Sequence, residues 1–267
     1  MRKEKKAILC ITLLITLAIA TAPVFAKNLN LPNGADWIEY YNAGGLADIL
    51  LPTPLPAGFP SSATAMELRF VHVEMPNSEV TFDYLLVFIY AIQQGTTAPV
   101  WIPFAVVTTS DDAAAQAATF WSGTPIKLDA TLYTVPPYNV PPAIAPLMSS
   151  NNIFVVPEGE LTVERHGNDV TVNLNIPQSI KRPLTYPPAY ITLPAFSLEL
   201  QKYGGSIHSH TSGTLTGWLG ASGCTTVHDE MGFNANGVFT SPDSALNGAP
   251  VQNATLWMHG SHTFYPP

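Results

Sequence analysis

Between residues 160 and 177, apolar and polar positions alternate in two runs separated by a polar break. Leu161 and Val163 lead into His166-Gly167-Asn168-Asp169, and Val170, Val172, Leu174 and Ile176 follow. A period of two places alternate side chains on opposite faces of a strand. Gly and Asn tolerate positive φ, so Gly167-Asn168 predicts a two-residue hairpin turn. Closing the hairpin there opposes His166 with Asp169, Arg165 with Val170, Val163 with Val172 and Leu161 with Leu174. Leu161, Val163, Val172 and Leu174 then share one face, and Thr162, Glu164, Thr171 and Asn173 share the other. One apolar and one polar face is the signature of an antiparallel sheet.

The same pattern recurs along the chain. Met66, Leu68, Phe70 and His72 alternate with Glu67 and Arg69, and 75–78 (Met-Pro-Asn-Ser) breaks the run. Residues 80–92 are almost continuously apolar, β-branched and aromatic, which predicts a central strand covered on both faces. Residues 100–108 predict another strand, with Pro103 marking an edge or a bulge. Asp111 followed by an alanine-rich body, Phe120-Trp121 and Gly123 predicts one short helix near 111–121. Phe196, Leu198 and Leu200 alternate, Gly204-Gly205 predicts a turn, and further strands are expected over 206–219, 225–233, 237–239 and 255–264. Prolines cluster at 50–60, 135–146 and 183–194, where extended connectors are expected. The expected fold is all-β: an antiparallel β-sandwich or barrel-like body of many short strands with that one helix.

The first residues change the picture of the chain's destination. Arg2, Lys3, Lys5 and Lys6 precede a short apolar run and Val24-Phe25-Ala26, the pattern of a signal peptide cleaved after residue 26. The remainder, 27–267, is expected to be a single β-rich domain, with a split into two β-domains near residue 150 as the alternative. Localisation is then expected to be secreted or cell-envelope associated, with no membrane span after cleavage.

Charge narrows the partners. The formal net charge is −8, and four of the eleven basic residues lie in the leader. Phosphate binding needs clustered Lys and Arg, so nucleic acid is excluded as a partner. Charged residues make up 11% of the chain, against about 25% in a typical domain. A low-charge surface suits a protein or glycan partner at the cell surface. Cys10 falls in the leader and leaves Cys224 without an intramolecular partner.

Candidate chemistry gathers near the C-terminus, where five of the seven histidines lie within the last 60 residues. His208 and His210 are two apart, which on a strand sets them on one face roughly 7 Å apart. His228 and Glu230 repeat that spacing, and His259 and His262 flank a Gly-Ser pair. Three imidazoles, or two with a carboxylate, would hold zinc, and nearby Met231, Met258 and Cys224 would suit copper. The metal set expected from sequence is therefore His208, His210, His228, Glu230, His259 and His262. Asn253-Ala254-Thr255 forms a glycosylation sequon. No phosphate-binding loop or dinucleotide fingerprint is present. The expected role is that of an exported, non-catalytic surface or binding protein of the cell envelope or extracellular space. The alternatives are a metal-dependent hydrolase or oxidoreductase built on the histidines, and a glycan-binding β-sandwich with exposed coplanar aromatics.

Overall fold

The computed structural model describes residues 37–75, 80–92, 97–111, 114, 125–127, 152–182, 189–215 and 224–265. Within them the chain is nearly all β. Thirteen strands run in order: β1 (Trp37–Leu50), β2 (Ala65–Met75), β3 (Val80–Ile92), β4 (Pro99–Thr108), β5 (Pro125–Lys127), β6 (Asn152–Val155), β7 (Leu161–His166), β8 (Asp169–Leu174), β9 (Gln178–Arg182), β10 (Ala189–Leu193), β11 (Phe196–Leu215), β12 (Cys224–Thr240) and β13 (Val251–Tyr265). Eleven of them form one mostly antiparallel sheet in the order β5-β6-β4-β3-β2-β1-β13-β12-β11-β8-β7, and β9 and β10 form a separate ribbon. Among the strand pairings of the described residues, only β4–β6 and β5–β6 are parallel. The sheet curls into a half-barrel, so that β7, at one edge, approaches β1, β2 and β3.

The hairpin forms as its sequence predicts. His166 opposes Asp169, Val163 opposes Val172 and Leu161 opposes Leu174. Gly167 sits at φ 67°, the conformation the turn requires. Leu161, Val163, Val172 and Leu174 are buried, while Glu164 is exposed. The register is fixed because a slip by one residue would carry all four apolar side chains to the wet face.

β2 and β3 pair along their whole lengths, from Ala65↔Tyr90 to Met75↔Val80. Both faces of β3 are covered: Leu85, Val87 and Ile89 are buried on one side, and Tyr84, Leu86 and Phe88 on the other. Pro103 falls at a β-bulge, where Val87 opposes Ala105 but Phe88 opposes Pro103. β6 pairs only with residues 105–108 of β4, so the missing proline N–H costs no bond on that side.

Three expectations are corrected. The two face-packed sheets of a sandwich are not present among the described residues; one sheet curls over its own core. The helix near 111–121 does not appear as an element there: a single α-type bond joins Ala114 N–H to Ser110 C=O, and most of the segment lies outside the described residues. Gly204-Gly205 does not reverse the chain. β11 runs through it as a bulged strand, with register shifts either side of Gly204 and Gly205 at φ 49°. Glycine serves a bulge as readily as a turn, and the two share a sequence signature. β11, β12 and β13 are consequently long strands of 20, 17 and 15 residues rather than short ones.

The core lies inside the curl. Met66, Leu68 and Phe70 of β2 and Leu85, Val87 and Ile89 of β3 join Leu161, Val163, Val172 and Leu174 of the hairpin in one cluster. Tight curvature is possible where glycines let large side chains cross the sheet. A Cβ on Gly45 would come within 3.1 Å of the Phe70 ring, and one on Gly260 would fall inside the Tyr41 ring. Among the described residues no helix is long and apolar enough to cross a membrane.

Candidate functional site

Where the inner face of β2 and β3 runs out, polar side chains replace the apolar rows. His72 and Asp83 are directly opposed on these two strands. His72 Nδ1 lies 2.8 Å from Asp83 Oδ1. Asp83 also accepts the backbone N–H of Val163, from the edge strand β7 that the curl brings over. Asp83 is held at its own backbone too. Its N–H donates to Thr109 Oγ1 at 3.0 Å, and its C=O accepts from Thr108 Oγ1 at 3.0 Å and Thr109 N–H at 3.1 Å. An ionised carboxylate can only accept, so in the neutral ring the 2.8 Å bond places the proton on Nδ1 and leaves Nε2 as the acceptor nitrogen.

Nε2 is 3.9 Å from Glu74 Oε1, and the His72 side chain retains 27% of its surface. Glu74 is positioned by Asn42, whose Nδ2 donates to Oε1 at 3.0 Å. The bond to Asp83 raises the His72 pKa most strongly; burial opposes it, and the charges of Asp83, Glu74 and Glu164 add to the rise. Burial pushes the Asp83 carboxyl up, against the lowering effect of its bond to His72. Both partners thus hold protons more firmly than they would in water. His166 and Glu164, 3.3 Å apart and both exposed, continue the polar rim on β7.

Arg165 closes the rim from the same strand. Its Nη1 donates to Met258 C=O at 2.8 Å and approaches Asn42 C=O at 3.4 Å, and its Nε donates to Gly167 C=O at 2.9 Å. Both reached carbonyls sit at irregularities of the ladder. The β12–β13 register shifts where Met258 falls, between Met231↔His259 and Gly232↔Trp257. The β1–β2 register shifts where Asn42 falls, between Tyr40 and Ala43. The guanidinium supplies donors where the sheet does not.

The sequence pointed elsewhere. The register opposes His208 with Met231 and His210 with Asp229 on β11–β12, and His228 with His262, Glu230 with Gly260 and Met231 with His259 on β12–β13. Directly opposed positions share a face. Backbone positions 208, 210 and 259 therefore fall on one face of the sheet, and 228, 230 and 262 on the other. The side chains of His208, His210, His228, Glu230 and His262 lie outside the described residues, and His259 is exposed. Among the described residues no three His, Cys, Asp or Glu side chains group as a metal site would require.

His72 and Asp83 read in the sequence as strand positions only. One signal was present: Asp83 is the single charged residue in the apolar run Val80–Ile92, and a charge in a doubly buried strand must have a partner.

No known protein family and no curated protein matches this chain. Solved structures align with it only at low similarity. The enduracididine biosynthesis enzyme MppR, complexed with the condensation product of pyruvate and imidazole 4-carboxaldehyde, aligns over 92% of this chain and 96% of its own, at TM-score 0.38 and 7% identity. Acetoacetate decarboxylase from Legionella pneumophila aligns over 94% and 93%, at TM-score 0.35 and 7% identity. These neighbours are enzymes, and the expectation of a non-catalytic surface or binding protein is not carried further. The leader on which export rested lies outside the described residues. Neither alternative gains support. Tyr203 is the one exposed large aromatic among the described residues, and no exposed coplanar pair is found among them. Trp257 is buried and Trp101 leans on Tyr90, with ring centroids 4.8 Å apart.

Proposed function

We propose that this protein is an enzyme acting on a small molecule by general acid–base catalysis, with His72 as the proton-transferring group and Asp83 as the residue that orients it. The observation that carries this reading is the 2.8 Å bond from His72 Nδ1 to an Asp83 carboxylate that is itself fixed, which leaves Nε2 free in a half-exposed setting. An imidazole so held can take a proton at Nε2, and the carboxylate stabilises the imidazolium that results. Glu74, 3.9 Å from Nε2, is the next group along a proton path to solvent. Positioned acid–base groups contribute roughly 10²–10⁴-fold in rate.

The test follows proton transfer itself, since the substrate is open. The full chain is incubated in deuterium oxide with a library of small carbonyl compounds, hydroxy acids and esters, and C–H exchange and turnover are followed by NMR. Exchange or turnover with at least one class is expected, falling about 10²-fold or more in His72→Gln. No activity across the library, or activity indifferent to His72→Gln, would overturn the reading. The expectations of one β-rich unit over 27–267 and of no nucleic-acid partner remain proposals beside it.

A further inference from the structure

The side of β1 and β2 turned away from the inner core carries a second acidic group. Asp48 on β1 and Glu67 on β2 are directly opposed. They are 8% and 5% exposed, so both carboxyls are out of water. Arg69, two residues along the same face, donates to the Glu67 carboxylate and lies over the Phe88 ring, 4.6 Å from its centroid. Asn253, in the left-handed region at φ 47°, donates from Nδ2 to Asp48 Oδ2 at 2.9 Å.

The hydrogen bonding is one donor short. Asp48 Oδ1 is buried and accepts nothing, although the Glu67 carboxyl stands within hydrogen-bonding reach of Asp48. Two carboxylates opposed across a strand pair repel one another, and a buried acceptor without a donor is costly. One proton removes both difficulties. We propose that Asp48 and Glu67 form a one-proton site, with the proton carried on Glu67 and donated to Asp48 Oδ1. The pair then carries a single negative charge, matched by Arg69. Asp48 is the better acceptor because Asn253 already donates to its other oxygen. The groups facing the pair are Arg69 from β2, Phe88 from β3 and Asn253 from β13, and only Arg69 is charged.

The arrangement makes the β1–β2–β13 junction sensitive to alkali. Burial raises both carboxyls most strongly; Asp48 raises Glu67 further, whereas the bond from Glu67 lowers Asp48, so the proton belongs on Glu67. The folded chain therefore keeps a proton that the unfolded chain gives up in the ordinary carboxyl range. Stability is fully present below that range and is lost as pH rises through the raised folded value.

Carboxyl carbon NMR on the full chain tests this directly. One carboxyl is expected to keep its proton above the ordinary carboxyl range in the wild type, and that signal is expected to disappear in Glu67→Gln. That variant's amide donates permanently to Asp48, so its melting temperature should lose the downward slope with pH that the wild type shows. In Asp48→Asn the amide donates the other way, and Glu67 should titrate at lower pH than in the wild type. Two carboxyls titrating independently in the ordinary range of the wild type would overturn the proposal, whether or not the variants fold. So would Glu67→Gln losing as much stability as Glu67→Ala.

Discussion

Arg165→Met removes the guanidinium that ties the edge strand β7 to β1 and β13 while keeping an apolar stem of similar length. Three bonds are lost, and they are unequal. The Nε bond to Gly167 C=O lies within the exposed hairpin, where water replaces it readily. The approach to Asn42 C=O, at 3.4 Å and exposed, is at the limit of a hydrogen bond. The 2.8 Å bond to Met258 C=O is partly buried and made by a charged donor. Bonds of that kind contribute about 1.5–3 kcal/mol, and solvent access to the rim favours the lower half, so the loss should be about 2 kcal/mol. For a chain of this size about 2 kcal/mol corresponds to roughly 4–8 °C in melting temperature. Urea unfolding monitored by tryptophan fluorescence measures the loss, and amide exchange locates it: Val163 N–H should exchange faster, because β7 is less firmly held. A change under about 0.5 kcal/mol, the level of an ordinary surface substitution, would refute the claim that Arg165 closes the seam.

Gly260→Ala would drive a methyl into the buried Tyr41 ring, so the ring must leave its place; a loss of about 1–3 kcal/mol or more is expected on thermal unfolding. Phe70→Ala empties a fully buried position over Gly45 and should cost about 3–5 kcal/mol, read from denaturant midpoints. The raised His72 pKa means that its pairing stabilises the fold below the ordinary histidine value of about 6.5 and that this stability is lost as pH rises through the folded value. Calorimetry across neutral pH should show that decline in the wild type and not in His72→Gln.

Local structure was legible in this sequence wherever two independent signals agreed. In the hairpin, the turn residues Gly167-Asn168 and the apolar alternation fix the same register, and the structure has it pair for pair. The bulge at Pro103 was legible because a missing donor has few places to go in a sheet. Gly204-Gly205 misled because no second signal separated a bulge from a reversal, and joining two expected strands into β11 changed the count and length of everything after it. The candidate site was hidden for a different reason. His72, Asp83 and the backbone of Val163 are brought together by the curl of the sheet, a property of eleven strands that no local pattern encodes. The C-terminal histidines looked conspicuous because they are close in sequence, yet cross-strand pairing divides their positions between two faces.

The account rests on His72 being held by Asp83 with Nδ1 protonated and Nε2 free. Long-range ¹H–¹⁵N NMR of the imidazole, followed over pH in the wild type and in Asp83→Asn, examines that arrangement directly. The account predicts an Nδ1–H tautomer in the neutral ring and a pKa above the ordinary histidine value, falling when Asp83 is replaced because burial then acts without its opposing partner. An Nε2–H tautomer, or a pKa that Asp83→Asn leaves unchanged, would contradict it.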